Sequence, residues 1–408
     1  MRFVALCLLA ACSSPRADVL VARQLPAAEA ADVANLTTAN NQFGCDLYAQ
    51  LGSGNTFFSP FSIATALAML DAGAAGQTDA ELRTAMHLML AGDPLFSAYG
   101  ALLSSLDTGR SYDNYTLATA DRLFGQQGFP FLSTYLGVTK TDFEAQLESV
   151  DFTADDGETA RATINAWVAS QTDNKIPELF PKNSINAGTV LALANAILFK
   201  GTWANQFDPA QTQTGAFHVA GGSDVQAMLM HASQTVALAP ITGGKLGLLP
   251  FAGNDLAMVI LLPDSPDGLP ALEAGLTGAS IASAVAAAQS ADNVTVALPK
   301  LQLTESFDLV SILMRLGIVS AFDPGTADLS GIDGEVGLFV QDAVHKATLT
   351  VDEEGAKATA ATGISVGDSG ESMPPSLIAD HSFALAIYDQ VTGSVLFMGR
   401  VSDPTLAM

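Results

Sequence analysis

Positive charge is scarce in this chain. Its 408 residues carry 17 Lys and Arg against 42 Asp and Glu, a formal net charge of -25. Such a surface repels phosphate backbones and anionic headgroups, which argues against nucleic-acid binding and electrostatic docking on a membrane. An acidic excess commonly serves solubility; a guide for cationic partners is the sharper reading of it. Cysteine is scarcer still: Cys7, Cys12 and Cys45 form no CxxC pair, so zinc and redox motifs are absent and the fold must stand without disulfides. His87, His218, His231, His345 and His381 are scattered singly, which leaves no metal cluster, and no cofactor motif is present. No segment beyond the N-terminus has 18 uninterrupted apolar residues, so a soluble body is expected. Repeats and clear linkers after Asn35 are lacking as well, which favours one domain. What remains is 49% hydrophobic and 14% charged, enough apolar residue for a large core.

The N-terminus reads as an address. Arg2 precedes a short apolar run from Phe3 to Leu9, which fits the core of a signal peptide. Leu9-Ala10-Ala11-Cys12 is similar to a bacterial lipobox, in which the cysteine is acylated and becomes the mature N-terminus. Residues 1–11 are therefore expected to be a lipoprotein signal peptide and Cys12 the lipidation site, with ordinary secretion as the alternative. More than one acyl chain on a single residue anchors stably. Residues 12–35, rich in Ala, are expected to be a flexible tether with a reach of roughly 25 Å.

Helical signals come first along the rest of the chain. Phe43, Leu47 and Leu51 share a face; Ser62 to Ala72 is small and apolar, between Pro60 and Gly73; Thr78-Asp79-Ala80-Glu81 reads as a capping box; Thr159 to Thr172 is amphipathic. Strand signals follow. Val190 to Phe199 is a long apolar run, as in a strand buried on both faces, and Leu246 to Phe251 with Asp255 to Pro263 reads as a hairpin pair. Val294 to Leu303 and Phe339 to Val351 alternate, and Ser382 to Asp389 with Ser394 to Val401 form a hairpin over Val391-Thr392-Gly393. Helices before strands, with few βαβ units, make an α+β pattern.

Between the last of those strands lies an unusual stretch, Asp352 to Pro375. More than twenty residues without a helix signal are too many for an ordinary connection. Ala356, Ala358, Ala360, Thr362, Ile364 and Val366 occupy one side of a period-two pattern, and none is charged. The other side carries Lys357, Thr359, Ser365 and Gly367. An exposed loop has no need of an uncharged face; a segment that must become a central strand does.

Glu353-Glu354-Gly355 followed by Ala-Lys-Ala-Thr-Ala-Ala-Thr resembles the hinge of the serpins, the inhibitory type in particular. Further stretches follow in the family's order: Asn55 to Ile63; Asn195 to Trp203 with Phe207; Leu298-Pro-Lys300-Leu with Ser306 to Leu309; Ala327 to Gly331; His345-Lys346-Ala347; and Phe397 to Val401. The likeness runs from about Leu36 to Pro404 and implies one serpin domain over 36–404: three sheets, eight or nine helices and a reactive-centre loop at about 353–375 in a metastable monomer. It also implies an inhibitor rather than an enzyme. A target serine protease, or secondarily a cysteine protease, attacks the loop and forms an acyl-enzyme. The cleaved loop then inserts into the main sheet; about 14 residues at 3.3 Å each would give a strand of roughly 45 Å. The hinge residues are Glu353, Glu354, Gly355, Ala356, Ala358, Ala360, Ala361 and Thr362. Ala356 departs from the family's usual Thr or Ser but is equally small. Ser59, Ser62, Asn195 and His345 match a polar cluster under the centre of the sheet, and Trp203, Lys300 and Glu353 match the top, where insertion starts.

Spacing from Gly355 places the bait bond at Ser369-Gly370, whereas Pro374-Pro375 suggests Glu371-Ser372; Asp368 is a further rival. A small residue there fits elastase-like or subtilisin-like proteases, an acid a Glu- or Asp-specific one. No Arg or Lys lies between Gly363 and Pro375, which disfavours trypsin-like targets. Two rival functions stand beside this one. Gly367-Asp368-Ser369-Gly370 copies part of a protease nucleophile signature, but Glu371 replaces its next Gly and no His motif precedes it. A non-inhibitory serpin, binding or chaperone-like, would share the fold, and fold alone does not give function. Export to the bacterial outer membrane or periplasm, or secretion, completes the expectation.

Overall fold

The computed structural model describes residues 25, 27, 29–110, 115–353 and 374–406. The chain opens with α1 (Ala30–Gln50), whose Val33, Leu36, Asn40, Phe43 and Leu47 recur at three- and four-residue steps and are all buried. The helix therefore takes in residues 30–35, which the tether reading had placed outside the domain. Cys45, on the same helix, is a free buried thiol, pushed up to about 12 by burial and then by the neighbouring Asp46 charge.

After β1 (Thr56–Phe58) comes α2 (Pro60–Asp71), started by the Ser59 side chain, which accepts from the Ser62 amide, and by Pro60 in the first turn. All of α2 except Leu70 is buried, as befits a helix apolar on every side. Then follow α3 (Gly76–Ala85), α4 (Asp93–Arg110), β2 (Tyr115–Gln126), α5 (Ser133–Asp142), β3 (Glu148–Val150), α6 (Glu158–Gln171) and β4 (Leu191–Gly201). The capping-box expectation fails at α3. The helix begins two residues earlier, at Gly76, and tertiary partners take the polar groups: Thr78 Oγ1 accepts from the Asp328 amide, and Glu81 accepts from the Val319 and Ser320 amides.

The second half contains β5 (Gln213–Phe217), β6 (Val225–Ile241), β7 (Gly244–Pro250), β8 (Leu256–Pro263), α7 (Leu269–Glu273), α8 (Gly278–Ala287), β9 (Gln289–Pro299), β10 (Leu301–Asp308), α9 (Val310–Arg315), α10 (Ser330–Asp333), β11 (Val344–Val351), β12 (Ser376–Ile378), β13 (Phe383–Asp389) and β14 (Val395–Val401). The alternation from Val294 to Leu303 is two strands in two sheets. Pro299, opposite Leu229, ends β9, and Leu301, opposite Val351, starts β10. The strand expected from Phe339 starts at Val344 instead.

Nine strands make one sheet, in the order β1-β14-β13-β8-β7-β6-β9-β12 with β5 on β6; five make the other, β10-β11-β4-β2-β3. The nine-stranded sheet joins the second and third of the three expected sheets, because the 17-residue β6 and the 11-residue β9 run through both halves with an irregularity at Gln234/Val236. The five-stranded sheet bears on function. On one face it packs against α2; on the other lies α6, where Trp167 meets Phe124 edge-on at 5.5 Å and the Arg122 guanidinium covers the indole at 4.5 Å.

Candidate functional site: the centre of the five-stranded sheet

The middle of this sheet is held by one short parallel junction. β4 pairs with β2 over its whole length, antiparallel, and β11 pairs with β10 in the same way. Between β11 and β4 the pairing is parallel and covers only Lys346–Leu349 against Ala196–Phe199. Parallel pairs are somewhat less stable per residue than antiparallel ones. Below that short zip, Leu191–Ala194 have no strand partner on the β11 side among the described residues. A cavity of about 180 Å³ occupies this gap, bounded by α2, by β4 and by residues 337–344.

The zip is bounded at both ends by polar contacts. Immediately below it stand His345 and Asn195. The Ser59 amide donates to His345 Nε2 at 3.0 Å, so that nitrogen is unprotonated, and the Nδ1 hydrogen points to Asn195 Oδ1 at 3.0 Å. Asn195 Nδ2 donates to the Ser62 carbonyl at 2.9 Å, the Ser62 amide to Ser59 Oγ at 3.0 Å, and Ser59 Oγ to the Leu396 carbonyl at 2.6 Å. The ring ties β11, β4, the start of α2 and β14 together. Burial pushes His345 down to about 3, so it is neutral across the physiological range. The Ser62 hydroxyl is buried and has no hydrogen-bond partner among the described residues. An unmet group of this kind costs about 1–3 kcal/mol.

Above the zip, the Trp203 indole donates to the Asp352 carbonyl at 2.9 Å and stacks on Phe251 with ring centroids 4.8 Å apart. Next to it Lys300 Nζ lies 2.6 Å from Glu353 Oε2, and Thr212 Oγ1 donates to Glu353 Oε1 at 2.7 Å. Burial raises the Glu353 carboxyl, but the Lys300 and Thr212 hydrogen bonds outweigh it and hold the group below its ordinary value. Glu353 is buried although it is the last described residue before 354–373. A cavity of about 30 Å³ between Phe199, Trp203 and Leu349 completes the top.

Every sequence-expected residue within the described range therefore falls on the one line between β4 and β11: Trp203, Lys300 and Glu353 at the top, Ser59, Ser62, Asn195 and His345 below. Thr212 and the Leu396 carbonyl were not foreseen, since neither carries a local signal. Cys12, the hinge residues Glu354, Gly355, Ala356, Ala358, Ala360, Ala361 and Thr362, and the bait candidates Asp368, Ser369, Gly370, Glu371 and Ser372 lie outside the described residues.

Known proteins resemble this chain over most of its length. The family described as serpin (serine protease inhibitor) matches residues 38–404. Leukocyte elastase inhibitor of Bos taurus is 38% identical over 382 residues, covering 90% of this chain and 99% of its own, and serpin B8 of Homo sapiens is 37% identical over 376 residues, covering 91% and 100%. A crystal structure of maspin superposes with a TM-score of 0.82 at 26% identity, covering 92% of this chain and all of its own; uncleaved ovalbumin does so at 0.78 and 28%, covering 91% and all of its own. The chain belongs to the serpin family.

Proposed function

We propose that this chain inhibits serine proteases as a suicide substrate, without itself being an enzyme. The protease's serine hydroxyl adds to the carbonyl of the bait residue, Ser369 in the favoured reading. The C–N bond to Gly370 breaks, the new amine leaves with the proton, and an ester joins the two proteins. The segment after Glu353 then turns back beside β11. A chain doing so runs antiparallel to β11 and, since β4 is parallel to β11, antiparallel to β4 as well. One parallel contact, registered over Lys346–Leu349, is exchanged for two antiparallel ladders.

The observation that carries this reading is the open edge of β4 at Leu191–Ala194, in line with a loop whose alternate positions are small or uncharged. Gly355 suits the turn, and Ala356 and Ala358 suit passage into a packed sheet. The loop's composition favours elastase-like or subtilisin-like targets over trypsin-like ones.

The test is incubation of the protein with pancreatic elastase, subtilisin, trypsin and papain, followed by SDS gels and mass spectrometry of the released peptide. A complex that survives SDS is expected with elastase or subtilisin, and the mass identifies the bond. Clean cleavage without complex by every enzyme would leave a passive serpin. We also propose export with acylation of Cys12 as a lipid anchor in the bacterial envelope; Cys12→Ser should move the protein from the membrane to the soluble fraction.

A further inference from the structure

The cavity below the zip has a chemistry of its own. Ile63, Leu67 and Leu70 of α2, Leu191 and Leu193 of β4, and Leu313 of α9 supply apolar walls. Its volume of about 180 Å³ exceeds that of an apolar cavity of about 150 Å³ able to hold benzene. The rim is different. Asp342 lines it, is exposed, and makes no hydrogen bond or ion pair among the described residues. A second acid, Asp308, lies opposite Val344 in the β10–β11 ladder and, among the described residues, accepts only from the Val310 amide. Burial first, and then the charge of Asp308, raise the Asp342 carboxyl above its ordinary value.

We propose that this cavity is a binding site for a small cationic amphiphile, an alkylammonium of about six to eight carbons, with its chain between α2 and β4 and its ammonium group at Asp342. An anionic amphiphile of the same length is repelled at the rim. The proposal rests on the inhibitory reading in one respect: the bound chain occupies the gap through which the inserted strand passes. Saturation therefore turns inhibitor into substrate, because cleavage proceeds while insertion stops short.

Binding is tested on the intact protein with no protease present, by calorimetry and thermal melting, using octylammonium, octan-1-ol and octanoate below their aggregation concentrations. Octylammonium is expected to bind one to one. Affinity should rise about fourfold per methylene from hexyl to octyl, and octanoate should bind at least about tenfold more weakly. Asp342→Asn should remove the preference of amine over alcohol, whereas Asp292→Asn, at an exposed acid of the other sheet, should leave it. Ala66→Leu from α2 and Val340→Phe from the opposite wall should each abolish binding; if one fails to fold, the other decides. Equal binding of amine and octanoate, or binding unchanged in the folded plug variants, overturns the site. In a second arm, elastase is added: a severalfold loss of SDS-stable complex at saturating octylammonium supports the coupling, and an unchanged yield overturns it. If no complex forms even without the amine, the inhibitory reading fails while the binding result stands.

Discussion

Ser59 and His345, 286 positions apart in the chain, meet at 3.0 Å, where the serine amide donates to Nε2 of a fully buried imidazole. That bond fixes the ring as a neutral acceptor and holds the start of α2 against β11. Protonation would remove the acceptor and place a charge in the core.

The pH dependence follows with a definite sign. His345 is held down to about 3 when folded and rises to the ordinary histidine value of about 6.5 when unfolded. Between those values the unfolded chain binds the extra proton, so stability is complete above about pH 6.5 and declines as the pH falls towards 3. His345→Gln should lower stability at pH 7 by about 2–4 kcal/mol, since it breaks a buried hydrogen-bond network. The gap to the unchanged protein should narrow steadily from pH 6.5 to pH 4 in urea unfolding. A gap independent of pH would show that the imidazole is not the titrating group.

Lys300 and Glu353 make a second, more peripheral latch. Lys300→Met leaves the buried Glu353 with Thr212 alone, which should cost about 1–3 kcal/mol. The top of the sheet should part more readily, so the melting temperature falls and spontaneous conversion to a non-inhibitory form quickens. Because Glu353 is held below its ordinary value, the difference should persist from pH 7 to pH 5 and vanish as the pH falls through the lowered value. Paired melting curves in a series from pH 7 downward check this.

Much of this architecture was legible in the sequence, but by two different routes. Local chemistry found α2, through Pro60 and the run behind it, and the β13–β14 hairpin, whose Gly393 takes φ +80° in the turn. Long-range placement came only through likeness to the serpins, since nothing local says that Lys300 will meet Glu353 or that Asn195 will meet His345. The misses have physical causes. Val294 to Leu303 keeps its alternation while crossing between sheets at Pro299-Lys300, and a period of two cannot register a change of partner. Thr78 has the residue type of a cap, but a backbone amide 250 positions away claims it.

The uncharged face of the loop should tolerate size poorly and charge not at all. Ala356 lies well before the bait candidates in the sequence, so Ala356→Arg should leave loop cleavage by elastase largely unchanged. The fraction trapped as SDS-stable complex should fall by about tenfold or more, because the guanidinium would have to enter the sheet interior unpaired. An unchanged trapped fraction would show that position 356 does not enter the sheet.

The proposed trapping requires energy stored in the five-stranded sheet, and one comparison addresses it directly: thermal unfolding of the intact protein against the same protein nicked in the loop. The account predicts that the nicked form melts at least about 5 °C higher, since several kcal/mol of new strand pairing and side-chain burial are gained and a domain of this size shifts by about 1–2 °C per kcal/mol. Identical melting temperatures for the two forms would contradict it.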